Sequence, residues 1–301
     1  KQSENGWPVG RGVGIGWWPC GIEISSARVM VNHDGGVDVS IGAVDLHGIR
    51  TGTAQVAAET LDIEPDEVNV HTADTEGIPY TGNAAGSRIT RTLSQAVFKA
   101  GSAVIGQMKE KMAVRFGIDV EFVEYESGYF YARDNQDSKV SFKDAGAAVT
   151  KNGSNIVATA SNDPGMRPAN GYAMSIADVE VDPETGKIQL TDFTIFQDVG
   201  KCVNPTQVES QMQGGAVQGI GWALSEEYIY DDQGLMRNAS FLDYRMPTAL
   251  DLPMIGTVIL ETPADDGAFG IRGVGEPPII APPAAIANAV HDATGVRMTS
   301  L

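Results

Sequence analysis

Apolar residues return every three or four positions from Ser87 to about Arg115: Ile89, Leu93, Val97, Val104, Ile105 and Met108. That period predicts a long helix with one face in a core. Ala54, Ala57, Ala58 and Leu61 repeat the pattern with smaller side chains and predict a helix over 51–62, suited to close packing on a sheet. Ile286, Ala289, Val290 and Ala293 predict a last helix from Pro282 to about Thr294, with Gly295 as its stop. Pro205 opens another that runs through Tyr228. Residues 11–18 read as a strand, and 28–46 as two strands joined at Asp34-Gly35-Gly36. A short strand follows in DEVNVHTAD (66–74), and two longer ones, YAMSIADVEVD and KIQLTDFTIFQDVG, flank the turn Pro183-Glu184-Thr185-Gly186. Residues 120–160 mix both signals. The alternation predicts an α/β fold of α+β layers, mixed sheets packed with helices. The Pro- and Gly-rich PGMRPANG predicts a hinge between two subdomains, 1–168 and 169–301.

Charge and composition narrow the function classes. The net charge of −18 opposes a phosphate backbone, so nucleic acid is not an expected partner. No apolar run approaches the ~20 residues that cross a bilayer, and no signal peptide is readable; no membrane partner is expected. Two cysteines, Cys20 and Cys202, fit a reducing, cytoplasmic setting and cannot supply a four-thiolate iron–sulfur site. The four histidines lack metal-ligand spacing, and no protein-ligated metal is expected.

Four glycine-rich stretches carry the candidate chemistry. In GIRGVGEPPII a lone acid, Glu276, sits between glycines and a double proline. Such a mount suits a carboxylate that must be held still, and it equally suits a glutamate favoured by a helix dipole. TGNAAGSRITR (81–91) enters a helix whose free amides suit an anionic ligand; an ordinary helix capped near Ser87 reads the same way. QMQGGAVQGIGWALSEE (211–227) places four glycines inside a helix, at ~1 kcal/mol each relative to Ala. Either a tight helix crossing or a ligand against the backbone would account for them. DLHGIRTG (45–52) offers His47 as a hydrogen-bond donor, or as a side chain satisfied by backbone. RGVGIG (11–16) resembles a dinucleotide turn loosely but lies in a predicted strand. All four stretches offer neutral donors of the kind a large polar cofactor needs.

Together TGTAQVAAETLDI, GNAAGSRITRTLSQAV, DVGKCVNPTQVESQMQGGAVQGIGWALSEE and GIRGVGEPPIIAPPAAIANAVHDATGVR resemble, in order, the C-terminal half of the molybdenum-cofactor domain of the xanthine dehydrogenase and aldehyde oxidase family. The resemblance implies hydroxylation of a carbon next to a heteroatom, in an N-heterocycle such as a purine or nicotinate or in an aldehyde. Water is the oxygen donor and a glutamate of the G-E-P-P loop, here Glu276, is the general base. It implies a molybdenum–molybdopterin cofactor, in dinucleotide form in a bacterial member. By position it implies cofactor contacts at His47, Gly48, Ala85, Gly86, Ser87 and Gln211, and substrate contacts at Trp17 and Trp18. His47 stands where the family usually has glutamine. The family's G-G-x-F-G-G and F-R-G-x-G segments do not occur in the sequence, so the expected assembly has a second molybdopterin-binding chain. It also has an iron–sulfur subunit with [2Fe–2S] clusters and a flavin subunit with FAD. The competing expectation is a non-catalytic assembly or cofactor-holding module that keeps the fold.

Overall fold

Every second residue from Gly10 to Gly16 is glycine, and the computed structural model of the chain, described for residues 2–72 and 74–301, shows why. In chain order the strands are β1 (Val9–Trp18), β2 (Ser26–Val31), β3 (Val37–Ile41), β4 (Val68–His71), β5 (Val123–Glu126), β6 (Tyr129–Ala132), β7 (Asn135–Ser141), β8 (Ile156–Ser161), β9 (Gly171–Val181), β10 (Ile188–Asp198) and β11 (Ile255–Leu260). The α-helices are α1 (Ile49–Leu61), α2 (Ile89–Phe116), α3 (Phe142–Lys151), α4 (Pro205–Leu224) and α5 (Pro277–Thr294). A Cβ at Gly10, Gly12 or Gly14 would lie 2.2, 2.1 or 2.2 Å from the carbonyl oxygens of Ala289, Ala285 and Ala281. Helix α5 therefore lies backbone against backbone on β1. Two strand residues rise ~6.6 Å and four helical residues ~6 Å, so each glycine meets the next turn of the helix. These glycines serve packing, within a strand as the sequence predicted.

The chain divides into two contact units: residues 1–20, 169–263 and 272–301 in one, and 21–168 with 264–271 in the other. Residues 1–20 thus join the C-terminal part rather than the expected first subdomain, because β1 pairs antiparallel with β9 along its whole length.

The first unit is built on a sheet of order β1-β9-β10-β11, with β11 parallel to β10. Ala177, Phe193 and Ile195 on the sheet, Met212, Ala216 and Ile220 on α4, and Ala285, Ile286 and Ala289 on α5 form one fully buried cluster. Each large side chain there contributes about 1.5–3 kcal/mol by leaving water. Helix α5 starts at Pro277, five residues before the expected Pro282. Prolines are favoured in a first turn, so Pro277 and Pro278 begin the helix and Pro282 and Pro283 lie inside it. Helix α4 ends at Leu224 rather than Tyr228, because the amides of Ser225 and Glu226 both donate to the Gly221 carbonyl and close its last turn.

The second unit carries a sheet of order β4-β3-β2-β8. Its buried side, Ala27, Val29, Val31, Val37, Val39 and Ile41, faces the apolar stripes of α1 and α2. The hairpin at Asp34-Gly36 joins β2 to β3, with Gly35 at φ 86°. Ala73, in the expected strand 66–74, lies outside the described residues. The mixed stretch 120–160 resolves into the small sheet β5-β6-β7, helix α3 capped by the Ser141 side chain, and β8. Cys20, buried, and Cys202 form no disulfide with one another, and partial burial pushes the Cys202 thiol up from its ordinary value. Among the described residues no helix is long and apolar enough to cross a membrane.

Candidate functional site

In the first unit, Glu276 is the residue from which α5 starts. A residue in that position usually turns its side chain onto the amides of the second or third helical residue. Here Pro277 and Pro278 occupy the first two helical positions, and the Ile279 amide donates to the Glu276 backbone carbonyl at 3.0 Å. The Glu276 carboxylate makes no cap hydrogen bond. Its half-buried side chain stands at the positive end of an 18-residue helix without serving as that helix's cap.

The mount is stiff because three glycines let backbone close on it. A Cβ at Gly171 would lie 2.5 Å from Pro277 Cγ, one at Gly215 2.6 Å from Pro278 Cγ, and one at Gly219 2.5 Å from the Ile279 carbonyl oxygen. That carbonyl lacks its helical donor, since residue 283 is proline. Of the two readings of the glycines in α4, tight crossing explains Gly215 and Gly219. Gly221 has its own close neighbours, Glu226 Oε1 and Pro247 Cδ at 2.8 Å, while nothing lies within 4 Å of a Cβ at Gly214. Gln211 lies one turn before Gly215 on the same stripe of α4, so the fold places it on the face that grips the Glu276 loop.

Two residues that sequence reasoning passed over hold this loop from behind. Gln197 is fully buried; its Nε2 donates to the Val274 carbonyl at 3.0 Å, and its Oε1 has no protein partner. Arg272 donates through its amide to Val199 O at 3.0 Å, through Nε to Thr262 O at 2.9 Å and through Nη1 to Asn170 O at 3.1 Å. It also faces Asp198 at 3.4 Å. Gln197 had a legible signal: it falls in the apolar phase of β10, two residues after Ile195 and four after Phe193, where a polar residue is out of place.

Trp17 and Trp18 end β1, and neighbours on a strand point to opposite faces. Trp17 is 57% exposed and pairs across the sheet with Tyr172; Trp18 is half-buried, with its indole N–H lacking a protein acceptor. The two rings do not form one wall.

The second unit holds the other predicted contacts. His47 (φ 42°) and Gly48 (φ 74°) lead into α1, and Gly86 (φ 67°) and Ser87 (φ 55°) lead toward α2. Among the described residues five non-glycine positions have left-handed φ, and two of them are His47 and Ser87. Such conformations cost about 1–3 kcal/mol and collect at ligand-binding turns. Neither helix receives a side-chain cap; the cap position of α2 is Arg88, next to Ser87. Ala85 and His47 are exposed, and Gly48, Gly86 and Ser87 half-buried.

The loop 81–88 is pinned from beneath by Arg88, 2% exposed, whose guanidinium donates to Asn83 O, to Glu23 O at 3.3 Å and to Ser25 Oγ at 3.1 Å. It also pairs with the Glu23 carboxylate at 2.9 Å. Burial lowers the Arg88 pKa from its ordinary value, while Glu23 opposes that. Gly21 N donates to Gly86 O at 2.7 Å, which fixes the left-handed turn. The result is a side-chain-poor turn, held from below, with helix-end amides and small residues on its open side. Among the described residues no group of three or more His, Cys, Asp or Glu side chains could hold a metal ion. The backbone amides and the histidine of this unit's two turns are donors suited to an organic ligand.

Residues 1–253 match the molybdopterin cofactor-binding domain. The chain is 32% identical over 305 residues to the xanthine dehydrogenase molybdenum-binding subunit of Escherichia coli O157:H7, covering 97% of this chain and 40% of that protein. It is 33% identical over 304 residues to the 6-hydroxypseudooxynicotine dehydrogenase complex subunit gamma of Paenarthrobacter nicotinovorans, covering 94% and 37%. It superposes on the crystal structure of quinoline 2-oxidoreductase from Pseudomonas putida 86 with a TM-score of 0.88 and 29% identity, covering 97% of this chain and 40% of that one. The chain thus spans about two fifths of the length of these relatives.

Proposed function

Because the chain belongs to the molybdopterin cofactor-binding domain family of the xanthine dehydrogenase and aldehyde oxidase enzymes, we propose that it forms part of a molybdenum hydroxylase with Glu276 as general base. The substrate class is a small molecule with an oxidisable carbon next to a heteroatom, an N-heterocycle or an aldehyde, and water is the oxygen donor. The names of the relatives support this class: one is a xanthine dehydrogenase subunit, and a structural neighbour is a quinoline 2-oxidoreductase.

The molybdenum–molybdopterin cofactor, when bound, supplies the two-electron redox chemistry. The chain's own residues hold and orient it. Gly48, Ala85, Gly86 and Ser87 offer backbone at the uncapped starts of α1 and α2, with Gln211 and His47 as side-chain donors. In a bacterial enzyme the dinucleotide form is the expected ligand. Glu276 accepts the proton released as oxygen transfers to the substrate carbon. The Gly171, Gly215 and Gly219 contacts hold its loop in place. Trp17 or Trp18, not both, offers an aromatic face to a flat substrate. Further chains complete the enzyme: a second molybdopterin-binding chain, an iron–sulfur subunit with [2Fe–2S] clusters and a flavin subunit with FAD. The word "subunit" in the relatives' names supports such an assembly.

The observation that carries the proposal is the tight seating of the turn that bears Glu276, with Gly171, Gly215 and Gly219 admitting Pro277, Pro278 and the Ile279 carbonyl. Replacing Glu276 by Gln in the assembled enzyme is expected to lower turnover about 10²–10⁴-fold, the usual range for general bases, with molybdenum content unchanged by mass spectrometry. A loss below about tenfold refutes the catalytic role.

A further inference from the structure

Between α4 and β11 the first unit carries an arm, residues 225–254, that turns its apolar side chains outward. Phe241 is 94% exposed, Leu242 86%, Leu250 98% and Met254 87%. Hydrogen bonds within the arm hold its turns. Ser240 Oγ donates to Asp243 Oδ2 at 2.9 Å, and the amide and hydroxyl of Thr248 both donate to Asp251 Oδ2 at 2.7 Å. Tyr244 Oη donates to Glu226 Oε2 at 2.7 Å. Asn238 Nδ2 donates to Glu227 O at 2.6 Å while its Oδ1 accepts from the Ile229 amide at 3.0 Å. Large apolar side chains left in water along one short arm mark an interaction surface. Along the arm runs an open groove of ≈ 1210 Å³, lined by Ile188 and Leu190 of β10, Leu224 of α4, and Tyr244, Leu250 and Leu252 of the arm. It is wider than the usual small-ligand cleft of about 300–1,000 Å³, and its walls are mixed rather than closed.

The alignment accounts for 40% of one relative and 37% of another, so about three fifths of a molybdenum-binding subunit lies outside it. We propose that the arm and its groove are the docking surface for that remainder. The internal hydrogen bonds hold Phe241, Leu242, Leu250 and Met254 in place before contact, which lowers the ordering cost of association. This rests on the reading of the chain as part of a molybdenum-binding subunit.

The test coexpresses the 301-residue chain with the second molybdopterin-binding chain of the proposed enzyme, which carries that remainder. Assembly is read by sedimentation velocity, molybdenum by mass spectrometry, and exposure of 235–254 by deuterium uptake. A 1:1 assembly is expected, with lower uptake over the arm. Phe241→Asp and Leu250→Asp should each weaken it at least about tenfold, as central apolar anchors do. Val114→Asp, at an 83% exposed position on α2, should leave it unchanged. Melting curves of the free variants should match the parent chain, because the replaced side chains are already in water. No assembly, equal weakening by all three substitutions, or arm variants that dissociate a homodimer instead would overturn the proposal. Arm-dependent assembly without molybdenum supports the docking surface and refutes the cofactor reading; molybdenum retained with the arm still exchanging freely does the converse.

Discussion

Gly214 and Gly219 lie on the same helix, and the structure predicts opposite outcomes for the same substitution. Replacing either by alanine removes the helix-interior penalty of glycine, a gain of about 1 kcal/mol. At Gly214 nothing lies within 4 Å of the added methyl, so that gain stands alone. At Gly219 the methyl would sit 2.5 Å from the Ile279 carbonyl oxygen and 3.0 Å from Pro282 Cγ. A carbon near a carbonyl oxygen needs about 3.3 Å, so about 0.8 Å must come from moving α4 away from the first turn of α5. Both neighbours are backbone or proline ring, and neither can swing aside. Overpacking of this kind costs about 1–3 kcal/mol or more, which exceeds the propensity gain. Gly214→Ala should therefore raise stability by about 1 kcal/mol and Gly219→Ala lower it by up to about 2 kcal/mol. Urea unfolding of the isolated chain gives both values, and thermal melts should separate the pair by several degrees, at about 2–4 °C per kcal/mol. In the loaded enzyme Gly219→Ala should also lower kcat, since the displaced turn begins at Glu276. A Gly219→Ala chain as stable as Gly214→Ala would refute the close crossing and, with it, the account of why the Glu276 loop is rigid.

Gln197→Met keeps the volume of a fully buried side chain but removes the donor to Val274 O. Stability should change by less than about 1 kcal/mol, because the orphaned Oε1 disappears together with the hydrogen bond. kcat should fall with molybdenum retained, and an unchanged kcat shows that Gln197 does not position the Glu276 loop. Asp266 supplies a pH test. Burial pushes its carboxyl up, but the Arg167 amide and the Arg91 guanidinium outweigh burial and hold it below the usual 3.8. A carboxylate held low contributes stability above its unfolded pKa and loses it as pH falls through the folded value. The parent chain should therefore lose stability below about pH 4 more steeply than Asp266→Asn, whose side chain does not titrate; equal acid slopes in urea unfolding refute the linkage.

The sequence by itself determined whatever rests on local period and local chemistry. The stripe of α2, the Asp34-Gly36 hairpin, the β9–β10 pair and the acid on a glycine–proline mount were legible because each is set by neighbours within a few residues. The order of its motifs was enough to place the family. Tertiary structure alone decided which distant segments come together: β1 pairs with β9, and residues 264–271 join the other unit, where Asp266 meets Arg91 and the Arg167 amide, because such contacts tie remote positions that no local pattern encodes. It also decided what the glycines are for. In β1, Gly12 and Gly14 admit the backbone of α5, and in α4, Gly215 and Gly219 admit the prolines beside Glu276, whereas Gly214 meets open space. In sequence these glycines look alike. They differ only in what a missing Cβ would have touched, and that is a property of the packed chain.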